Sequence, residues 1–145
     1  MAWYKCNIIH NTTDADGQVR EDVKEPYVMQ ADSVTEAAAR LAAHLEGETY
    51  ALDGVTRMHL QEVFLDTEVD TYYLAKVALI TLDEVTGSER RQTLRYLIEA
   101  ETLKDAMQRL EAEFRGGVSD WELLSLSKSP IVEVVTAEKK VEGAA

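Results

Sequence analysis

The chain has 145 residues, 46% of them hydrophobic, with 15 basic against 27 acidic side chains and a formal charge of −12. That length suits one domain or two small halves, and it can bury a core without covalent staples. The charge opposes duplex DNA and anionic membranes at long range, and a single cysteine, Cys6, excludes an internal disulfide framework or a cysteine-rich zinc site.

The opening MAWYKCNII holds no apolar stretch long enough for a signal peptide, and no run of about 18 apolar residues follows. A cytoplasmic protein with no membrane span is expected. WYKCNIIH reads as a first β-strand. DADG (Asp14–Gly17) then marks a hairpin turn, with Gly17 supplying the positive φ. The same residues begin like a calcium loop, but such a loop needs an acidic first position and a glutamate at the twelfth, where this chain has Thr12 and Val23. EPYVMQA is the next strand. Pro26 cannot donate to a ladder, which places it at a sheet edge or a strand start. Ser33 with Glu36 forms a capping box, and Val34, Ala37, Ala38, Leu41 and Leu45 make one apolar stripe along the helix that follows. Gly47 ends that helix. A third strand centres on GVTRM, and QEVFL is apolar enough to pair or to cover a sheet edge.

The second half repeats this order. YYLAKVALITL and RQTLRYLIEA are strands joined by a hairpin turn at Gly87, and Thr102 with Asp105 is a looser helix cap. Leu103, Ala106, Met107, Leu110 and Phe114 copy the apolar stripe, Gly116 copies the stop, and LLSLS and IVEVV copy the closing strands. Sliding the chain by 69 positions lays Tyr27–Gly47 on Tyr96–Gly116 with seven identical pairs, among them Tyr27/Tyr96, Arg40/Arg109 and Leu41/Leu110. After the helix the offset becomes 71, pairing Tyr50 with Trp121, Arg57 with Lys128 and Glu62 with Glu133. Agreement in order across all blocks predicts an α+β fold built by tandem duplication of a ββαβ unit, pseudo-twofold symmetric, with six or more strands and two main helices. The repeats fall at 1–68 and 69–136 and are expected to pack as one globular unit. Residues 137–145 form a flexible C-terminal tail.

WYKCNII, EPYVMQADSVTEAAARL, KVALITLDEVTGSERR, EAETLKDAMQRLE and IVEVV together resemble an uncharacterised family of small proteins from Bacteroidetes and their phages. The resemblance covers about residues 3 to 135. That family is a domain of unknown function. It implies a setting in phages and mobile elements, near replication or recombination genes, and no catalytic residues.

The residues themselves carry little chemistry. His10, His44 and His59 share no close metal spacing, and no phosphate loop, dinucleotide-binding or nucleophile-elbow pattern occurs. Cys6 aligns with Ala75 and reads as a small core residue. No catalytic residue, metal or cofactor is expected, and the chain reads as a non-enzyme. One stretch is locally basic: SERRQTLRY holds Arg90, Arg91 and Arg95, with Tyr72, Tyr73 and Tyr96 on neighbouring strands. A β-surface of arginine and aromatic residues can hold single-stranded nucleic acid, so Arg90, Arg91, Arg95 and Tyr72 are the candidate binding residues. The plainer reading makes the tyrosines core and pairs the arginines with glutamates. Two other functions compete: an acidic protein-interaction module that regulates or inhibits a protein partner, and a binder of a small ligand or nucleotide at the seam between repeats. A homo-oligomer is compatible with each, and a membrane partner with none.

Overall fold

Among the described residues, strand and helix signals become eight strands and two helices: β1 (Ala2–Thr13), β2 (Val19–Ala31), α1 (Val34–His44), β3 (Ala51–Met58), β4 (Glu62–Phe64), β5 (Tyr72–Leu82), β6 (Glu89–Glu99), α2 (Leu103–Phe114), β7 (Asp120–Ser129) and β8 (Glu133–Val135). This α+β architecture is seen in a computed structural model that describes residues 1–66, 69–117 and 120–137. Residues 138–145 of the expected tail lie outside the described residues.

The strands form two four-stranded sheets, ordered β3-β1-β2-β8 and β4-β6-β5-β7. In each, a long antiparallel hairpin occupies the middle, a longer strand pairs antiparallel on one side, and a three-residue strand pairs parallel on the other. The short strands are exchanged. QEVFL, written after the first helix, supplies β4 to the second sheet, while IVEVV at the end of the chain supplies β8 to the first. Two compact units follow: Met1–His59 with Pro130–Ala145, and the contiguous Leu60–Ser129. The similarity between halves divides at 68/69; the compact units divide nine residues earlier and again after Ser129.

Local chemistry sets the hairpins. In the first turn, the Asp14 carboxylate accepts from the amides of Asp16 and Gln18 at 3.0 and 2.9 Å. In the second, Asp83 accepts from Val85 and Thr86 at 2.9 and 3.3 Å. Those amides hold the Asp83 carboxyl below its ordinary range. Gly17 (φ 82°) and Gly87 (φ 73°) take the left-handed conformation that closes each turn. DADG is thus a hairpin turn held by its first aspartate. Pro26 belongs to β2, opposite Asn7 of β1, one residue before the parallel ladder with β8 begins at Tyr27. It has no N–H to offer there, and its carbonyl accepts from Val132 at 2.9 Å.

Each helix covers one face of its own sheet. Ser33 caps α1 by accepting from the Glu36 amide at 3.0 Å, and Thr102 caps α2 by accepting from Asp105 at 3.1 Å. The Glu36 carboxylate binds Arg40 one turn on, at 2.9 and 2.7 Å. In the first unit, Leu41 and Ala37 of α1 pack on Cys6, Ile8, Met29 and Val135. In the second, Leu110 and Ala106 of α2 pack on Ala75, Val77, Ile98 and Phe64. A run of rings extends this second core. Phe64 stacks on Tyr96 (5.8 Å between centroids), Tyr96 meets Phe114 edge-on (5.7 Å), and Phe114 stacks on Trp121 (4.8 Å). The short strands therefore carry core residues, Val135 in one unit and Phe64 in the other, as well as ladder bonds.

Candidate nucleic-acid interface

The register of the second hairpin decides which side chains share a surface. Tyr73, Ala75 and Val77 of β5 lie opposite Ile98, Tyr96 and Leu94 of β6, and all six belong to the core under α2. Side chains alternate along a strand. The other face therefore carries Tyr72, Leu74, Lys76, Ala78 and Ile80, opposite Glu99, Leu97, Arg95, Thr93 and Arg91.

This face changes character along its length. Tyr72 and Leu97 are buried, at 4% and 0% exposure. The Tyr72 hydroxyl hydrogen-bonds the Glu99 carboxylate, which also accepts from the Asp66 amide at 2.7 Å. Tyr72 thus offers little ring surface to a base. Tyr73 and Tyr96 are core residues of the α2 face. Exposure begins at the next pair, where half-buried Lys76 sits directly opposite exposed Arg95. Directly opposed side chains on an antiparallel ladder have Cβ atoms about 4.5–5.5 Å apart, and like charges there repel. Neither cation forms an ion pair among the described residues. On the adjoining strand β7, Ser125 and Ser127 lie opposite Lys76 and Leu74.

The other two arginines are placed differently. Arg91 shares the face of Arg95, roughly 13 Å away along the strand at about 3.3 Å per residue. Its guanidinium reaches Glu122 at 3.1 Å and Glu89 at 3.5 Å. Arg90 is exposed and belongs to the opposite face of the strand. The four candidates therefore do not form one cluster. The structure joins Arg95 to Lys76, a residue that sequence reasoning missed because only the ladder register shows the two facing each other. Both units are acidic, with 13 acidic against 7 basic residues in the first and 14 against 8 in the second, so the cationic pair is a local feature.

Elsewhere the titratable groups are structural. Cys6 is fully buried between Tyr27 and Val55 of the flanking strands, and burial pushes its thiol up to about 11. His10 is hydrogen-bonded to Glu25, and His44 to Glu133. No group of three or more histidine, cysteine, aspartate or glutamate side chains arranged to hold a metal occurs among the described residues. No helix among them is long and apolar enough to cross a membrane.

No curated protein and no solved structure matches this chain. A family model does, over residues 2–137, which takes in every strand and both helices described above. The chain accordingly belongs to the DUF4494 family, a domain of unknown function.

Proposed function

We propose that the protein is a non-enzymatic accessory factor that holds single-stranded nucleic acid by its phosphates on the exposed face of the β5–β6 hairpin. The observation that carries this reading is the Lys76–Arg95 pair, two cations forced opposite each other with no ion-pair partner among the described residues. An anion bridging them removes the repulsion and supplies the missing counter-charge. Ser125, opposite Lys76 on β7, adds a hydroxyl donor beside it. Arg91 can extend the contact by trading Glu122 for a second phosphate. Because Tyr72 is buried, the contact is electrostatic rather than a stack of bases on rings, and it carries little sequence preference. We propose further that this activity serves replication or recombination of a mobile element in the cytoplasm, a reading supported only by the resemblance to small proteins of Bacteroidetes and their phages.

We also infer that the two units descend from one by tandem duplication. The two sheets have the same order and the same parallel register, Tyr27 opposite Glu133 and Tyr96 opposite Glu62. Both antiparallel ladders to the outer strand slip at the matching place, between Asn7 and Ile8 and between Lys76 and Val77. Bulges are specific features of a ladder, and their coincidence at positions 69 apart supports common descent.

The test is binding of a labelled oligonucleotide at low and high salt. The full chain should bind the single strand at low salt. Lys76→Ala with Arg95→Ala should weaken binding at least tenfold and flatten the log–log salt slope by about 0.7, the value for one phosphate contact on a single strand. Arg90→Ala should change it little. Binding unaltered by the double substitution, or none to the wild type at low salt, refutes the proposal.

A further inference from the structure

A cleft opens on the first unit where α1 flanks the end of β8, and its volume is about 280 Å³. Its lining is largely apolar, with Ala39 and Ala43 of α1 on one side and buried Val135 of β8 on the other. Its polar groups are few and firmly held. The Arg40 side chain is 15% exposed. Its Nε and Nη2 both donate to one oxygen of Glu36, at 2.9 and 2.7 Å. That clamp fixes the guanidinium plane and leaves Nη1 without a bond among the described residues. One turn on, His44 Nε2 lies 2.6 Å from Glu133 Oε2, which ties the end of the helix to the start of the strand. Thr136 adds a hydroxyl to the lining. The wall made by Val135 and Thr136 comes from the end of the chain, so the cleft is complete only once β8 has joined the first sheet.

An apolar wall beside one unspent guanidinium edge has a definite chemical complement. We propose that this cleft binds a small monocarboxylate with a compact apolar body. The carboxylate accepts from Arg40 Nη1, and the body lies against Ala39, Ala43 and Val135. Arginine has five donors in a rigid fork, so one edge can hold Glu36 while the other holds a ligand. The volume falls just below the roughly 300–1,000 Å³ of pockets for drug-sized molecules, which sets the ligand as a small one. Charge narrows the class further. Glu36 and Glu133 already sit against Arg40 and His44, so the second negative charge of a phosphate would meet no further cation in the lining.

The second unit supplies a contrast. Glu36, Arg40, Val135 and Thr136 correspond to Asp105, Arg109, Phe64 and Leu65 under the offsets of 69 and 71, and those four also line a cleft, of about 490 Å³. There the Arg109 guanidinium lies over the Phe64 ring, 4.3 Å from its centroid. Asp66, Glu99 and Glu101 join Asp105 in the lining. Four carboxylates against one guanidinium make a field that repels an anion. Binding of a carboxylate is therefore confined to the first unit.

Amide NMR of the isotope-labelled full chain, titrated with benzoate, tests this. Shifts should saturate and cluster at Arg40, Ala43, His44, Val135 and Thr136, with none at Phe64 or Arg109. Benzyl alcohol, which keeps the ring and lacks the carboxylate, and inorganic phosphate should each bind at least about tenfold more weakly, the scale of a lost hydrogen bond to a charged group. Arg40→Gln should weaken benzoate by the same factor. Glu36→Gln keeps an acceptor for Arg40 but removes the competing charge, so it should tighten binding. Ala43 is exposed on its helix, where leucine is nearly as good a helix former. Ala43→Leu should therefore fold, fill the cleft and abolish binding. No saturable shift in the wild type overturns the proposal. So does benzyl alcohol or phosphate that matches benzoate, or benzoate binding that survives both Arg40→Gln and Ala43→Leu.

Discussion

Val135→Ala is the sharpest probe of the exchanged strand. Val135 is 9% exposed and packs in the core formed by Met29, Leu41 and Cys6, although it lies more than ninety positions from any of them in the chain. Removing two methyl-sized groups costs about 1.6 kcal/mol at about 0.8 kcal/mol each. A partly collapsed cavity adds a few tenths. The expected loss is about 2 kcal/mol, or roughly thirtyfold faster exchange of amides that open by unfolding of the first unit. The assay is native-state hydrogen exchange of wild type and variant, read at Tyr4, Cys6 and Met29 in the first unit and at Ala75, Val77 and Ile98 in the second. The first set should lose protection by the full amount, and the second by less than about 0.5 kcal/mol, because the mutated side chain is not in that core. If the loss is instead greatest in β5, β6 and β7, the elements nearest to Val135 in sequence, then β8 does not belong to the first sheet and the exchange is wrong.

Two further outcomes follow from local features. Ser33→Ala should cost about 1 kcal/mol and lower the thermal midpoint, since it frees the Glu36 amide, whereas Ser33→Asp, which keeps an acceptor, should restore most of it. Cys6 should resist a thiol reagent in the native protein at pH 8 and react at the rate of global opening of the first unit, so that denaturant accelerates labelling in step with loss of tertiary signal.

The helices were legible because their determinants are local. Within each helix the cap (Ser33 or Thr102), the apolar stripe and the stop glycine (Gly47 or Gly116) lie within 14 positions of one another and fix its start, buried face and end. The hairpins were legible for the same reason, since Asp14 and Asp83 serve their own turns. The exchange was not. Three-residue parallel ladders leave no pattern that distinguishes one sheet from another, and Glu-Val-Phe and Glu-Val-Val are nearly interchangeable as edge strands. At the candidate interface, the sequence showed a basic stretch but not its grouping. Arg95 and Lys76 are 19 positions apart and meet only through the hairpin register, while Arg91, beside Arg95 in the text, is drawn off by Glu122. Tyr72 and Tyr73 look alike as neighbours in the chain, and alternation sends them to opposite faces.

The placement of β8 also sets a timetable for synthesis. The second unit, Leu60–Ser129, is one continuous stretch and has all its strands as soon as β7 leaves the ribosome. The first unit has its hairpin, helix and third strand long before, yet the edge of β2 at Tyr27–Met29 waits for Glu133–Val135. At about 5–20 residues per second, roughly a hundred intervening residues leave that edge bare for about 5–20 s. A growing chain with an open strand edge is exposed to pairing with its neighbours on the same message. Lys24 and Glu25, with Pro26 just ahead of the bare ladder, are charged and donor-less residues of the kind that discourages such pairing until the last strand arrives.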